Sequence, residues 1–174
     1  MLDRVARSFG EECYEVPVGF KHVYGKMAET DAVIGGESSG GMAIRGHIHG
    51  KDGIYAAALL VEMLAVTGKS IADIYREITR EFGMLYYEEG SFATTREHKD
   101  LLKQQVFEEK KLPQFAEKIE KISYEDGCKV FFEDGSWVIC RFSGTEPLLR
   151  IAAEGNTQDQ AKDLIRRWSV FLNL

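Results

Sequence analysis

Lys129-Val130-Phe131-Phe132-Glu133-Asp134-Gly135-Ser136-Trp137-Val138-Ile139-Cys140-Arg141-Phe142-Ser143-Gly144-Thr145-Glu146-Pro147-Leu148-Leu149-Arg150 decides the fold of the second half of the chain. Runs of β-branched and aromatic residues flank Asp134-Gly135, a dipeptide that suits the positive φ of a hairpin turn. Ile122-Ser123-Tyr124 precedes the same pattern across Asp126-Gly127, and Leu148 to Glu154 follows it. The spacing predicts a mainly antiparallel meander of four strands. The turn between the last two strands differs in kind. Arg141 to Arg150 holds two guanidiniums, two hydroxyls and Gly144. Gly144 admits backbone angles closed to other residues, so that N–H groups converge on one anion, with Ser143 and Thr145 adding hydroxyl donors. Arg141 forks onto such an anion through its planar guanidinium. A plain surface turn is the alternative reading of the same residues.

Outward from the meander, Thr157-x-x-Gln160 caps a helix whose Ala161, Leu164, Ile165, Trp168 and Leu172 form one apolar stripe, the cover for a sheet face. Before it, Pro113 opens a short predicted helix with Phe115 and Ile119. Thr94-x-x-Glu97 caps another, carrying Leu101, Leu102 and Val106. Met84 to Glu88 reads as a strand leading into a loop through Gly90. Apolar helices end at Gly83, which marks a boundary between residues 1–83 and 84–174.

In the first half, helical spacing covers Met1 to Phe9, a short strand follows at Cys13-Tyr14-Glu15-Val16, and Val18-Gly19-Phe20-Lys21-His22-Val23 leads into a helix to about Glu29. Ala32-Val33-Ile34 is an apolar strand that empties into Gly35-Gly36-Glu37-Ser38-Ser39-Gly40-Gly41. A carboxylate, two hydroxyls and four glycines at a strand end suit recognition of sugar hydroxyls, where open α/β sheets keep their ligands. A flexible loop is the other reading. Asp52 caps a helix through Ala65 that turns Ile54, Ala57, Ala58, Val61 and Leu64 toward a core. Ser70-x-x-Asp73 opens the next, with Ile71, Ile74, Tyr75, Ile78 and Phe82 at helical spacing. His47 and His49 lack a third ligand nearby, so a solvated or substrate-facing pair is favoured over a metal site.

Twenty-two basic against 28 acidic residues give a net charge of -6. That balance argues against general binding to nucleic acid or anionic membranes and makes any anion site local. No apolar run approaches the roughly 20 residues that span a bilayer, and no secretory pattern opens the chain. A cytoplasmic protein is expected. Cys13, Cys128 and Cys140 have no paired ligand spacing, which favours free thiols over disulfides or zinc.

Gly36-Glu37-Ser38-Ser39-Gly40 and Arg141-Phe142-Ser143-Gly144-Thr145-Glu146-Pro147 together resemble the sugar-binding and phosphate-binding loops of the α-D-phosphohexomutases. Val18-Gly19-Phe20-Lys21 and His47-Ile48-His49-Gly50-Lys51-Asp52-Gly53 are similar to further stretches of its bacterial phosphoglucomutase and phosphomannomutase members. The resemblance spans nearly the whole chain. It implies an α/β fold class: the later part of a third, α/β domain over 1–83, then a complete α+β fourth domain over 84–174. The latter carries a mainly antiparallel four-stranded sheet covered by helices.

It also implies an enzyme that interconverts hexose 1-phosphate and hexose 6-phosphate through a phosphoserine, with Mg2+ supporting transfer. Glu37 and Ser39 are then expected to hold sugar hydroxyls, and Lys21 and His47 to approach the substrate. Arg141, Ser143, Gly144 and Thr145 would hold phosphate, with Arg150 a further candidate. The phosphoserine and metal loops of the family are not found in these residues. By this reading the chain contributes no catalytic or metal-binding residue, and is inactive without the N-terminal domains of the same enzyme. Some members carry histidine where Gly41 stands here. Two other functions fit the residues: phosphosugar binding without turnover, and a structural domain pair whose glycine loops are only turns.

Overall fold

The computed structural model describes residues 1–144 and 146–174, with the backbone alone at Arg96. The chain packs as two units, Met1–Gly83 and Met84–Leu174.

The first unit runs α1 (Leu2–Ser8), α2 (Phe20–Thr30), β1 (Ile34–Gly36), β2 (Met42–Ile44), α3 (Gly53–Thr67) and α4 (Ile71–Phe82). Cys13 to Val16, expected as a strand, has no regular structure, and among the described residues no strand pairs with it. The strand expected at Ala32 to Ile34 begins at Ile34 instead and extends into the glycines, where it pairs antiparallel with β2. Packing accounts for the glycine at 35. A Cβ on Gly35 would stand 2.6 Å from Met27 Sδ and from Val23 Cγ1, so only glycine lets α2 lie this close to β1. Val23, Met27 and Ala43 form the small core of this unit.

The caps of α3 and α4 are set locally. Asp52 accepts from the Ile54 and Tyr55 N–H groups, and Ser70 accepts from Asp73 N–H. The expectation that the apolar face of α3 is buried in a core is overturned. No described residue of α3 is buried, and Ile54 and Val61 are 86% and 66% exposed. The helix is apolar nearly all round, which calls for cover on more than one side, and a two-stranded sheet does not provide it.

The second unit contains β3 (Tyr86–Ala93), α5 (Arg96–Lys103), a π-helical turn (Gln104–Glu108), β4 (Ile119–Ser123), β5 (Cys128–Phe132), β6 (Trp137–Phe142), β7 (Leu148–Gly155) and α6 (Gln158–Phe171). Its antiparallel sheet has five strands in the order β3-β7-β6-β5-β4, not four. The addition is β3, which pairs with β7 from Tyr86↔Gly155 to Ala93↔Leu148. Gly90, read from sequence as a loop, lies inside this strand beneath the Phe92 ring.

The short helix expected from Pro113 does not form. Phe115 instead sets its ring edge-on to Phe132 with centroids 5.0 Å apart, and Ile119 already belongs to β4. Thr95 rather than Thr94 caps α5. Ala161, Leu164, Trp168 and Leu172 of the α6 segment join Val130, Phe132, Val138, Leu149 and Ile151 in one buried cluster. Cys128 and Cys140 stand opposite one another in this core as free thiols, and burial pushes the Cys128 thiol up to about 11. Among the described residues no single helix is long and apolar enough to cross a membrane.

Candidate functional site

Glu37 sits in the turn that closes the β1–β2 hairpin. Gly40 N–H donates to the Glu37 carbonyl and Glu37 N–H to the Gly41 carbonyl, both at 2.9 Å, with Gly40 at φ 89. This left-handed position favours glycine. The Glu37 side chain is 20% exposed, and its Oε2 accepts from Lys51 Nζ at 2.7 Å. The lysine stem crosses Gly41 so closely that a Cβ there would stand 2.3 Å from Lys51 Cδ. Its ammonium lies 5.2 Å from the centre of the Phe20 ring. Lys51 is thus a candidate that the sequence reading did not single out. Its one signal was its place in His47-Ile48-His49-Gly50-Lys51-Asp52-Gly53.

The other candidates of this unit are arranged differently. Ser39 is exposed on the turn, and Lys21 is exposed on the first turn of α2. His47 is committed to the start of α3. Its Nε2 lies 2.9 Å from Asp52 Oδ2, so the nitrogen carries the proton that an ionised carboxylate accepts, and its ring stacks on Tyr55 with centroids 4.0 Å apart. That hydrogen bond, with the N–H groups of Tyr55 and Ile54, holds the Asp52 carboxyl below its ordinary range. His49 stacks on Tyr24.

The loop between β6 and β7 is pinned at both ends. Ser143 N–H donates to the Leu148 carbonyl at 2.8 Å, and the Pro147 carbonyl accepts from Thr94 N–H at 3.0 Å and from its hydroxyl at 3.2 Å. Ser143 is buried, and its Oγ accepts from Glu146 N–H at 3.2 Å, so this hydroxyl shapes the loop. The reason given for Gly144 is corrected. It is not among the glycines of positive φ, and a Cβ there would meet open space. Thr145 lies outside the described residues.

Arg141 and Arg150 face one another across β6 and β7. Arg150 is paired with Glu146 at 2.9 Å and Glu89 at 3.3 Å. Among the described residues, Arg141 has no carboxylate partner and no side-chain hydrogen bond. It stands above Gly127, where a Cβ would come within 2.5 Å of Arg141 Cβ. Tyr87 donates to Glu89 at 2.9 Å, and burial first, then that bond, pushes its hydroxyl up to about 12. Among the described residues no three His, Cys, Asp or Glu side chains gather in a way that could hold a metal ion.

Two family models match. Residues 1–82 fit the phosphoglucomutase/phosphomannomutase alpha/beta/alpha domain III, and residues 101–167 fit the C-terminal domain of the same enzymes. The chain belongs to the phosphohexomutase family. Its relatives include a phosphoglucomutase/phosphomannomutase of Thermococcus kodakarensis, 33% identical over 95% of this chain and 34% of that protein. A phosphoglucosamine mutase of Solibacter usitatus is 30% identical over 95% of this chain and 34% of its own length. A crystal structure from Thermus thermophilus, assigned as a phosphomannomutase, superposes with a TM-score of 0.74 at 26% identity, over 99% of this chain and 34% of that one. The chain therefore spans about a third of the length of the phosphohexomutases it matches.

Proposed function

We propose that these residues supply the substrate-holding loops of a phosphohexomutase that interconverts hexose 1-phosphate and hexose 6-phosphate. The Arg141 loop takes the phosphate that the sugar already carries, and the Glu37 turn takes the sugar hydroxyls. The observation that carries this reading is the guanidinium of Arg141, unpaired among the described residues and set beside an Arg150 that two carboxylates already engage. Such a cation over a pinned loop is suited to a dianion. Each charge-assisted bond to it is worth about 1.5–3 kcal/mol.

At the other loop, Lys51 engages Glu37 Oε2, while Oε1 accepts no hydrogen bond among the described residues. A carboxylate and an ammonium side by side present an acceptor and a donor, which neighbouring sugar hydroxyls can meet together. Lys51 therefore joins Glu37, Ser39 and Lys21 as a proposed sugar contact, and His47 acts through Asp52 as a brace. Holding the phosphate at one fixed point lets either end of the sugar be offered to the phosphoryl donor, and such placement supplies much of the catalysis. The phosphoryl donor and the magnesium of the family would be provided by residues outside these 174. When bound there, magnesium neutralises charge on the transferring group.

Titration with α-D-glucose 1-phosphate and α-D-mannose 1-phosphate, followed through the backbone amides, tests the division of labour. Arg141→Ala should weaken both sugars by a similar factor, about tenfold or more. Glu37→Gln keeps the shape but exchanges an acceptor for a donor, so it should shift the ratio between them. A changed ratio in Arg141→Ala, with an equal loss for both sugars in Glu37→Gln, would reverse the assignment.

A further inference from the structure

Arg150 is held from two sides. Its Nη2 donates to Glu146 Oε2 at 2.9 Å, from within the loop, and its Nη1 donates to Glu89 Oε1 at 3.3 Å, from the edge strand β3. The two carboxylates are not equivalent. Tyr87 donates to the remaining Glu89 oxygen at 2.9 Å, which ties that carboxylate to the sheet. The Glu146 side chain is 51% exposed and belongs to the turn, whereas that of Glu89 is 37% exposed and stands on a strand paired along its whole length.

The arrangement has an electrostatic cause. Arg141 and Arg150 are direct cross-strand partners, and like charges so placed repel. Glu146 and Glu89 offset that repulsion from the Arg150 side. A phosphate held by Arg141 approaches the guanidinium opposite it. There it meets Glu146, an anion on the same kind of planar donor edge that phosphate oxygens use.

We propose that Glu146 is an internal competitor for the phosphate, and that Glu89 is the positioning residue that keeps Arg150 aimed. The exposed loop carboxylate gives up its guanidinium edge to the incoming anion, while the carboxylate on the strand retains the other. This inference rests on the reading of the Arg141 loop as a phosphate site. It differs from a simple charge effect in sign. Were only net charge at work, removing either carboxylate would strengthen anion binding, and the two gains would add. A competitor and a positioning residue act in opposite directions.

The test is a titration of the 174-residue chain with α-D-glucose 1-phosphate, read from the amides of the β6–β7 loop at low and high salt. Glu146→Gln should bind about threefold more tightly, the size expected when one half-exposed ion pair no longer competes. Glu89→Gln should bind about threefold more weakly. In the double variant the gain from Glu146→Gln should vanish, because Arg150 is free but no longer aimed. Tyr87→Phe should weaken binding in the same direction as Glu89→Gln. Both differences should shrink at high salt.

Gains in both single variants that add in the double one would overturn the proposal, as would an unchanged affinity in Glu146→Gln. Arg141→Ala in the same titration separates the two levels. Weakened binding there without a gain in Glu146→Gln defeats the inference alone. An Arg141→Ala titration indistinguishable from that of the unsubstituted chain defeats the phosphate reading beneath it.

Discussion

In Met84–Leu174 fourteen side chains are buried in one cluster, from Leu102 to Leu172, whereas in Met1–Gly83 the buried cluster is Val23, Met27 and Ala43, among the described residues. Composition does not explain the difference. The first unit holds α3, an apolar helix with Ile54, Leu60, Val61 and Val66 exposed, while α6 of the second is amphipathic and turns Leu164 and Trp168 fully inward. What differs is the partner surface. Five strands give α6 a complete face to cover, and the two three-residue strands of the first unit give α3 none. Helical apolarity becomes burial only where a second layer exists to receive it.

The contrast extends to the two loops. Arg141 stands at the end of a strand flanked by β5 and β7 in a closed core, while Glu37 stands on a hairpin held by one helix through Gly35. Groups on rigid elements keep their geometry.

The largest break in the comparison comes from Trp168, which is fully buried. Trp168→Ala should cost the second unit about 3–5 kcal/mol. Both tryptophans belong to that unit, so in the variant Trp137 fluorescence during urea unfolding reads it alone. Amide exchange in α2 should stay as in the unsubstituted chain. Equal loss of protection in α2 would show that the units unfold as one body, and the contrast drawn between their cores would lose its force.

A smaller effect, of about 1–3 kcal/mol, is expected for Gly127→Ala. Gly127 has φ 89 and lies against Arg141, whereas Gly135 has φ 83 with nothing near its missing Cβ. Both substitutions introduce backbone strain, but only the one at 127 also pushes on the strand that carries the guanidinium. Urea midpoints should fall in both variants, further in Gly127→Ala, and loop amide shifts should move in that variant only. Equal midpoints with unmoved loop amides would mean that the turn does not support Arg141.

Much of the second unit was legible because its signals are local. Asp126-Gly127 and Asp134-Gly135 mark their turns within two residues, and Thr157 caps α6 by reaching Gln160 N–H three residues on. The caps at Asp52 and Ser70 are equally local. The features that escaped depend on residues far apart in the chain. β3 joins the sheet through partners about sixty residues later, and Gly90 disguises it as a loop. β2 is three residues long, too short for a period to show. Pro113 and Phe115 carry a helix signal that packing against Phe132 overrides. Of the proposed contacts, Glu37 and Arg141 were singled out by their motifs. Lys51 crossing Gly41, and Glu89 holding Arg150, required the fold.

The smallest expected effect sharpens the comparison most, because it asks the same chemistry of both units. Val61 on α3 is 66% exposed, and Val138 on β6 is fully buried. Burying a valine contributes about 1.5–3 kcal/mol, and replacing one by serine in a core also strands a hydroxyl. Val138→Ser should therefore lower the urea midpoint of the second unit substantially. Val61→Ser, which removes a side chain already in contact with water, should change the stability of the first unit by no more than about 0.5 kcal/mol. The substitution slightly disfavours the helix, so any small change should be a loss. The measurement is amide exchange in α2 and α3 for the first unit and tryptophan fluorescence for the second. A loss above about 1.5 kcal/mol in Val61→Ser, the lower end of the burial value, would show that α3 is covered in solution. The difference between the two units would then lie in what covers them, not in how much each covers by itself.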